Sequence, residues 1–186
     1  MICLTENKNF SLKDLKQKLH ISSWDPKEVA DFHETIGNKE TPLVKLPGLA
    51  KRLGIGSLLL KDESHRFGLN AFKALGASYA MYRQIEKNPQ IKTFCTATDG
   101  NHGRAVAWMA RKLGRKALIY MPQGTVPDRV RAIEQEGADV FVIDQAYDIA
   151  VKMASTRVDE ANKKSRNQFW SLIQDTAWDG YEEIPS

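Results

Sequence analysis

Cysteine is scarce in this 186-residue chain, with only Cys3 and Cys95 present. Two thiols are too few for a disulfide framework, and Cys95, inside an apolar run, reads as a small buried hydrophobe. No stretch approaches the roughly 20 apolar residues that span a bilayer. The opening Met1-Ile2-Cys3-Leu4-Thr5-Glu6-Asn7-Lys8 lacks the long apolar block and small residues of a signal peptide. A soluble, reducing, cytoplasmic setting is therefore expected. Charge of one sign is also lacking, with 27 Lys and Arg against 23 Asp and Glu. The basic residues of 13–18, 111–116 and 163–166 are interrupted by neutral ones and read as solvated helix faces, so no nucleic-acid partner is expected. Neither Gly-x-Gly-x-x-Gly nor Gly-x-x-x-x-Gly-Lys-Ser/Thr occurs, which leaves nucleotide binding poorly supported. No metal site is expected, and there are no repeats or low-complexity tracts.

What is present is an apolar content of 42%, enough for a core in one ordinary domain or two small ones. Phe10, Leu12, Leu15 and Leu19 have helical spacing with Ser11 as a cap, and Pro26, Val29, Phe32 and His33 suggest a second short helix. Thr41-Pro42 extends the chain. Residues 49–53 end at Gly54, a helix stop, and 57–61 read as a short buried strand. A polar loop over 62–70 leads into a helix over 71–85, with Phe72, Leu75, Tyr79, Tyr82 and Ile85 on roughly one face. Strands are expected at 93–98, 117–121, 139–143 and 169–173, with helices over 102–113, 127–136 and 147–163 between them. Gly114 and Gly137 stand where helix C-caps belong, and 163–170 reads as a longer surface loop. Helical crossovers of this length favour a parallel sheet covered on both faces, an α/β architecture.

Two segments carry chemistry. In Lys61-Asp62-Glu63-Ser64-His65-Arg66-Phe67-Gly68-Leu69-Asn70-Ala71-Phe72-Lys73, a lysine arrives in the first turn of a helix. The partial positive charge there disfavours an ammonium and makes the neutral amine, which Schiff-base chemistry uses, more available. The plainer reading is a solvated surface lysine. In Thr96-Ala97-Thr98-Asp99-Gly100-Asn101-His102-Gly103-Arg104, a strand runs into a helix. Its glycines would let backbone approach a ligand, and free N–H groups would face an anion or a ring oxygen. Asp99 sits at the carboxyl end of a strand, where open α/β sheets hold ligands. The plainer reading is a tight turn capped by Asp99 and Asn101, and His102 reads as a packed or solvated residue and not a catalytic one.

Together these segments resemble the fold-type-II pyridoxal phosphate (PLP) enzymes, the group of tryptophan synthase β, threonine dehydratase and cysteine synthase. Asn70-Ala71-Phe72-Lys73 matches the group's Schiff-base lysine, and Gly100-Asn101-His102-Gly103 matches the turn whose asparagine bonds the cofactor's ring hydroxyl. Within the group the wording is closest to the diaminopropionate ammonia-lyase family. Besides the two segments, Ile119-Tyr120-Met121-Pro122 and Gln174-Asp175-Thr176-Ala177-Trp178-Asp179-Gly180-Tyr181 carry that likeness, which runs from about Thr41 to Pro185. The resemblance implies a parallel three-layer lobe, truncated, with PLP as cofactor. It implies α,β-elimination from 2,3-diaminopropionate, giving pyruvate and ammonia.

The implied roles fall on Lys73, Asp99 and Asp175 as catalytic residues, and on Lys73, Asn101 and Phe72 as cofactor contacts. Lys73 would hold PLP and serve as base for the L-isomer, Asp99 would serve the D-isomer, and Asp175 would bind the substrate's distal amine. Trp178 and Tyr181 would either line the pocket or pack the last turn. The implied division is residues 1–74 in the lysine-bearing part of a large lobe, 75–175 as a small four-stranded α/β domain, and 176–186 as the start of a further half. The family's chain is about twice as long, and its later half supplies a glycine-rich phosphate loop; no glycine-rich run follows Gly103 here. An incomplete chain with little activity by itself is thus expected, acting as a homo-oligomer or with a complementary chain. The competing readings are a catalytically inert relic or binding module, and another type-II lyase such as a serine or threonine dehydratase. Asp99 argues against the dehydratase, which resembles this chain but usually has a small residue before its Gly-Asn turn.

Overall fold

The computed structural model describes residues 26–175. The expected helix over 10–19 and the residues Trp178 and Tyr181 lie outside that range. The chain runs α1 (Pro26–Thr35), β1 (Leu43–Lys45), α2 (Pro47–Leu53), β2 (Leu59–Lys61), a 3-10 turn (Glu63–Gly68) and α3 (Lys73–Lys87). It continues β3 (Thr93–Ala97), α4 (Asn101–Lys112), β4 (Lys116–Pro122), α5 (Pro127–Glu134), β5 (Asp139–Ile143), α6 (Tyr147–Ser165) and β6 (Trp170–Leu172). All four strands expected after residue 90 form, in the sheet order β5-β4-β3-β6. Every pairing within that sheet is parallel.

The parallel sheet is covered on both faces, and the side-chain alternation shows it. Phe94 on β3 and Ala117, Ile119 and Met121 on β4 join the core formed with α3, α4 and α5. Cys95, Ala97 and Leu118, the intervening positions, pack with Ala150, Val151, Ala154 and Val158 of α6. Period-two alternation with apolar residues at both phases is what a doubly covered strand requires. Gly114 takes the left-handed conformation (φ 63°) just past α4, where its N–H donates to the Arg111 carbonyl at 3.1 Å. A residue with a Cβ would be strained there.

Several expectations are corrected. Residues 57–61 do not make a buried strand. β2 pairs antiparallel with β1 in a separate two-stranded ribbon, and Leu59 and Leu60 are each 50% exposed. Apolar composition alone does not bury a strand; a covering layer does, and no described helix covers this ribbon. On α3 the buried positions are Ala74, Ala77, Ser78, Tyr79, Ala80 and Met81, while Phe72 precedes the helix and is 59% exposed. The small residues set the contact with α4, and the large aromatics Tyr79 and Tyr82 meet Phe32 of α1 instead, Tyr82 stacking on it at 4.6 Å. The expected loop over 163–170 is shorter, since α6 runs to Ser165.

Candidate functional site

The carboxyl ends of β3 and β6 open beside the start of α3. Lys73 is the first residue of α3, and no side-chain cap closes that helix start. Its ammonium pairs with the carboxylate of Asp175, which follows β6, 102 residues away in sequence. This pair answers the like-signed field of the helix start with a negative charge brought from a distant part of the sequence. The Lys73 side chain is 36% exposed and that of Asp175 19%, so the pair stands at the edge of the core with access to solvent.

His102, the second residue of α4, is buried against the same acid. Its Nε2–H donates to the Ile173 carbonyl at 3.1 Å, and Nδ1 lies 3.6 Å from Asp175 Oδ1. Burial holds its pKa below the ordinary 6.5, against the opposing pull of Asp175 and the Ile173 carbonyl. Of the packed and solvated alternatives for His102, the structure shows the packed one.

The turn before α4 is built differently from the sequence expectation. Thr98, fully buried, accepts from both Gly100 N–H (3.0 Å) and Gly103 N–H (3.2 Å) through its hydroxyl. Those two donors are therefore taken, and Thr98, not Asp99 or Asn101, satisfies the helix start. The glycines also serve packing before ligand approach. A Cβ on Gly103 would meet the side chains of Thr98 and Ile119, and one on Gly100 would lie 3.2 Å from Arg129 Cδ. Asp99 is exposed, and its carbonyl accepts from Arg129 Nη1 at 3.0 Å. Asn101 is exposed at the first position of α4.

Sequence reasoning missed two groups. Tyr147, at the start of α6, has its phenol pKa raised chiefly by burial, and further by the charges of Asp175, Asp99 and Asp148. That places it within electrostatic reach of both candidate acids. The second is a clasp on the loop before Lys73. Buried Arg66 donates to Glu63 at 2.7 and 2.8 Å, to the Lys39 carbonyl at 2.9 Å, to Thr41 Oγ1 at 3.2 Å and to Asn38. Glu63 is held down at about 2 by those bonds and by the Thr41 hydroxyl. A sequence with Glu and Arg three residues apart in a polar loop was the available signal.

Several described residues fit PLP. Lys73 supplies an accessible amine beside an acid, and Asn101 an exposed amide at the adjoining helix start. Gln174, 3% exposed and next to Asp175, has an amide nitrogen and oxygen without hydrogen-bond partners. Orphaned buried amides are rare and ask for a polar group. These residues fit the aldehyde end and ring of the cofactor. For its phosphate, the sequence after Gly103 offers no glycine-rich run. Among the described residues no three metal-ligating side chains gather, and no helix is long and apolar enough to cross a membrane.

Known proteins share this fold and much of this sequence. Residues 34–185 match the pyridoxal-phosphate dependent enzyme family. The chain is 44% identical over 181 residues to diaminopropionate ammonia-lyase of Salmonella typhimurium, covering 86% of this chain and 43% of the relative. It is 43% identical over 173 residues to the Escherichia coli enzyme of that name, covering 83% and 42%. The chain thus spans less than half the length of these relatives. The crystal structure of the E. coli enzyme with an aminoacrylate–PLP azomethine reaction intermediate superposes with a TM-score of 0.77 at 44% identity, covering 86% of this chain and 43% of that one. Tomato threonine deaminase, at 24% identity and TM-score 0.62, shares the fold. By its match over residues 34–185, and with a lysine, a Gly-Asn turn and an acid gathered at the carboxyl end of a parallel sheet, the chain belongs to the pyridoxal-phosphate-dependent enzyme family.

Proposed function

We propose that this chain is the lysine-bearing portion of a PLP-dependent ammonia-lyase that converts 2,3-diaminopropionate to pyruvate and ammonia by α,β-elimination. The observation that carries this reading is the Lys73–Asp175 pair, formed across 102 residues of sequence at the mouth of the sheet. Lys73, Asn101 and Phe72 are the residues that would hold the cofactor, Lys73 through its amine, Asn101 through its amide and Phe72 through its exposed ring. When bound, PLP supplies an electron sink for the substrate's α-carbon.

The chain's own residues do the rest. Lys73 takes the α-proton from the L-isomer and Asp99 from the D-isomer, from opposite faces. Asp175 already pairs with an ammonium; once the Lys73 amine is engaged, the substrate's distal ammonium takes its place. An acid at position 99, before the Gly-Asn turn, favours this substrate over serine or threonine. We further propose that residues 1–74 form part of a large lobe, 75–175 a small α/β domain and 176–186 the start of a further half. The protein works in the cytoplasm, as a homo-oligomer or with a chain that supplies the remaining half.

The test is to titrate the chain with PLP and assay pyruvate from D- and L-diaminopropionate, alone and with the C-terminal part of the Salmonella relative added. The chain alone should retain PLP weakly and produce little pyruvate. The mixture should turn over both isomers, with Lys73→Ala inactive and Asp99→Asn losing the D-isomer selectively. Turnover of serine or threonine in preference to diaminopropionate would refute the substrate assignment.

A further inference from the structure

The loop that delivers Lys73 is conformationally costly: Asp62 caps its start by accepting from the Ser64 N–H at 3.0 Å and the Arg66–Glu63 clasp holds its first half, but neither reaches its Lys73 end. Phe67 and Asn70 have positive φ (51° and 59°) around Gly68 (φ 73°). L-residues in that region carry strain that persists only where surroundings enforce it. The start of α3 has no side-chain cap.

At the Lys73 end the enforcement comes from α4. Arg104 Nη1 donates to the Leu69 carbonyl at 3.2 Å, four residues before Lys73. Trp108, one turn further along the same face of α4, packs its ring 4.9 Å from that of Phe67. The guanidinium is itself aimed by Glu136, an acid with an 11%-exposed side chain just beyond α5. One Glu136 oxygen lies 3.5 Å from Arg104 Nε, an ion-pair approach that leaves this buried N–H without a hydrogen bond, and the other accepts from Arg111 at 2.6 Å. The helix that begins with Asn101 therefore also grips the loop that ends at Lys73.

We propose that Arg104 is a positioning residue for Lys73: through the Leu69 carbonyl it sets the pose of the amine relative to the turn at Asn101. The proposal rests on the reading of Lys73 as the cofactor lysine, and its test separates the two.

The full chain is treated with PLP and the adduct trapped with borohydride. In the trapping, the lysine amine condenses with the aldehyde, water leaves, and hydride adds to the carbon of the new C=N bond. Peptide mass spectrometry then reads the labelling rate of Lys73 against Lys152, an exposed residue of α6. In the unsubstituted chain Lys73 should label faster than Lys152; equal rates would refute the role of Lys73 itself. Arg104→Met should lower the Lys73 rate about tenfold, the factor expected when one charge-assisted hydrogen bond is lost, with Lys152 unchanged. Arg104→Lys, which keeps a charged donor opposite Glu136, should recover most of the rate, a rescue that a general loosening of the fold would not produce. If Arg104→Met does not fold, Glu136→Gln decides, because it keeps the arginine but removes the carboxylate that aims it. A selective fall at Lys73 supports the proposal. An unsubstituted Lys73-to-Lys152 ratio in folded Arg104→Met, or in Glu136→Gln where that variant decides, overturns it.

Discussion

Replacing Gly103 with alanine should destabilise the chain even though alanine is the better helix former. The added Cβ would fall far inside contact distance of Thr98 Cγ2, 3.2 Å from Thr98 Cβ and 3.0 Å from Ile119 Cγ2. Both neighbours are fully buried, so neither can swing into solvent. Thr98 cannot simply change rotamer either, because its hydroxyl holds the N–H groups of Gly100 and Gly103. Overpacking costs about 1–3 kcal/mol, and losing the two bonds adds about 1 kcal/mol each. The gain in helix propensity returns about 1 kcal/mol. The net loss is about 2–4 kcal/mol, a large share of the roughly 5–15 kcal/mol that stabilises an ordinary domain. Thr98→Ser removes the clashing methyl and keeps the hydroxyl. The double variant should therefore recover about 2 kcal/mol relative to the sum of the single changes. Urea unfolding of the four proteins measures this directly, and at a slope of about 2 kcal/mol per molar the Gly103→Ala midpoint should drop by about 1–2 M. A Gly103→Ala midpoint at or above that of the unsubstituted chain, or no rescue by Thr98→Ser, would refute the close-approach reading.

Acid should weaken the fold in two stages. Burial holds His33 and His102 below their ordinary 6.5, so the unfolded chain binds more protons and stability declines as pH falls below about 6.5. Glu63 is held at about 2 against an ordinary 4.5, so the stability it contributes is present above 4.5 and disappears as pH falls toward 2. Urea midpoints measured across this range should show both declines, and Glu63→Gln should flatten the lower one. Cys95, fully buried with its thiol pushed up to about 12, should resist alkylation at pH 8 until the chain unfolds. Peptide-resolved labelling with iodoacetamide checks this, and native-state modification at the rate of a free thiol would contradict the burial.

The parallel sheet was legible because each strand is a short apolar run flanked by a helix of ten or so residues, and Gly54, Gly114 and Gly137 mark helix ends. The site lysine, the Gly-Asn turn and the two acids were legible only as motifs. The pairing of Lys73 with Asp175 depends on β6 pairing with β3 out of sequence order, which no local pattern encodes. The ribbon of β1 and β2 was misread because Ser57-Leu58-Leu59-Leu60 gives apolar content without saying what covers it. Thr98 was overlooked because a threonine at the end of an apolar strand looks like strand propensity. Its capping role appears only when the chain folds back over it. Arg66 and Arg104 look like ordinary surface charge in sequence, and only tertiary structure shows them holding backbone carbonyls.

The strand order also fixes when the site can come into being. β3, β4 and β5 appear in sequence order and pair as neighbours, but β6 must return past them to the free side of β3. Asp175 arrives with it, so during synthesis Lys73 waits for 102 further residues before its carboxylate exists. Loop closure of that span is entropically slow relative to the local βα units. The acid at 175 can therefore reach the lysine only once β6 has been made and laid along β3, after the neighbouring β3–β4 and β4–β5 pairings have all their residues in hand.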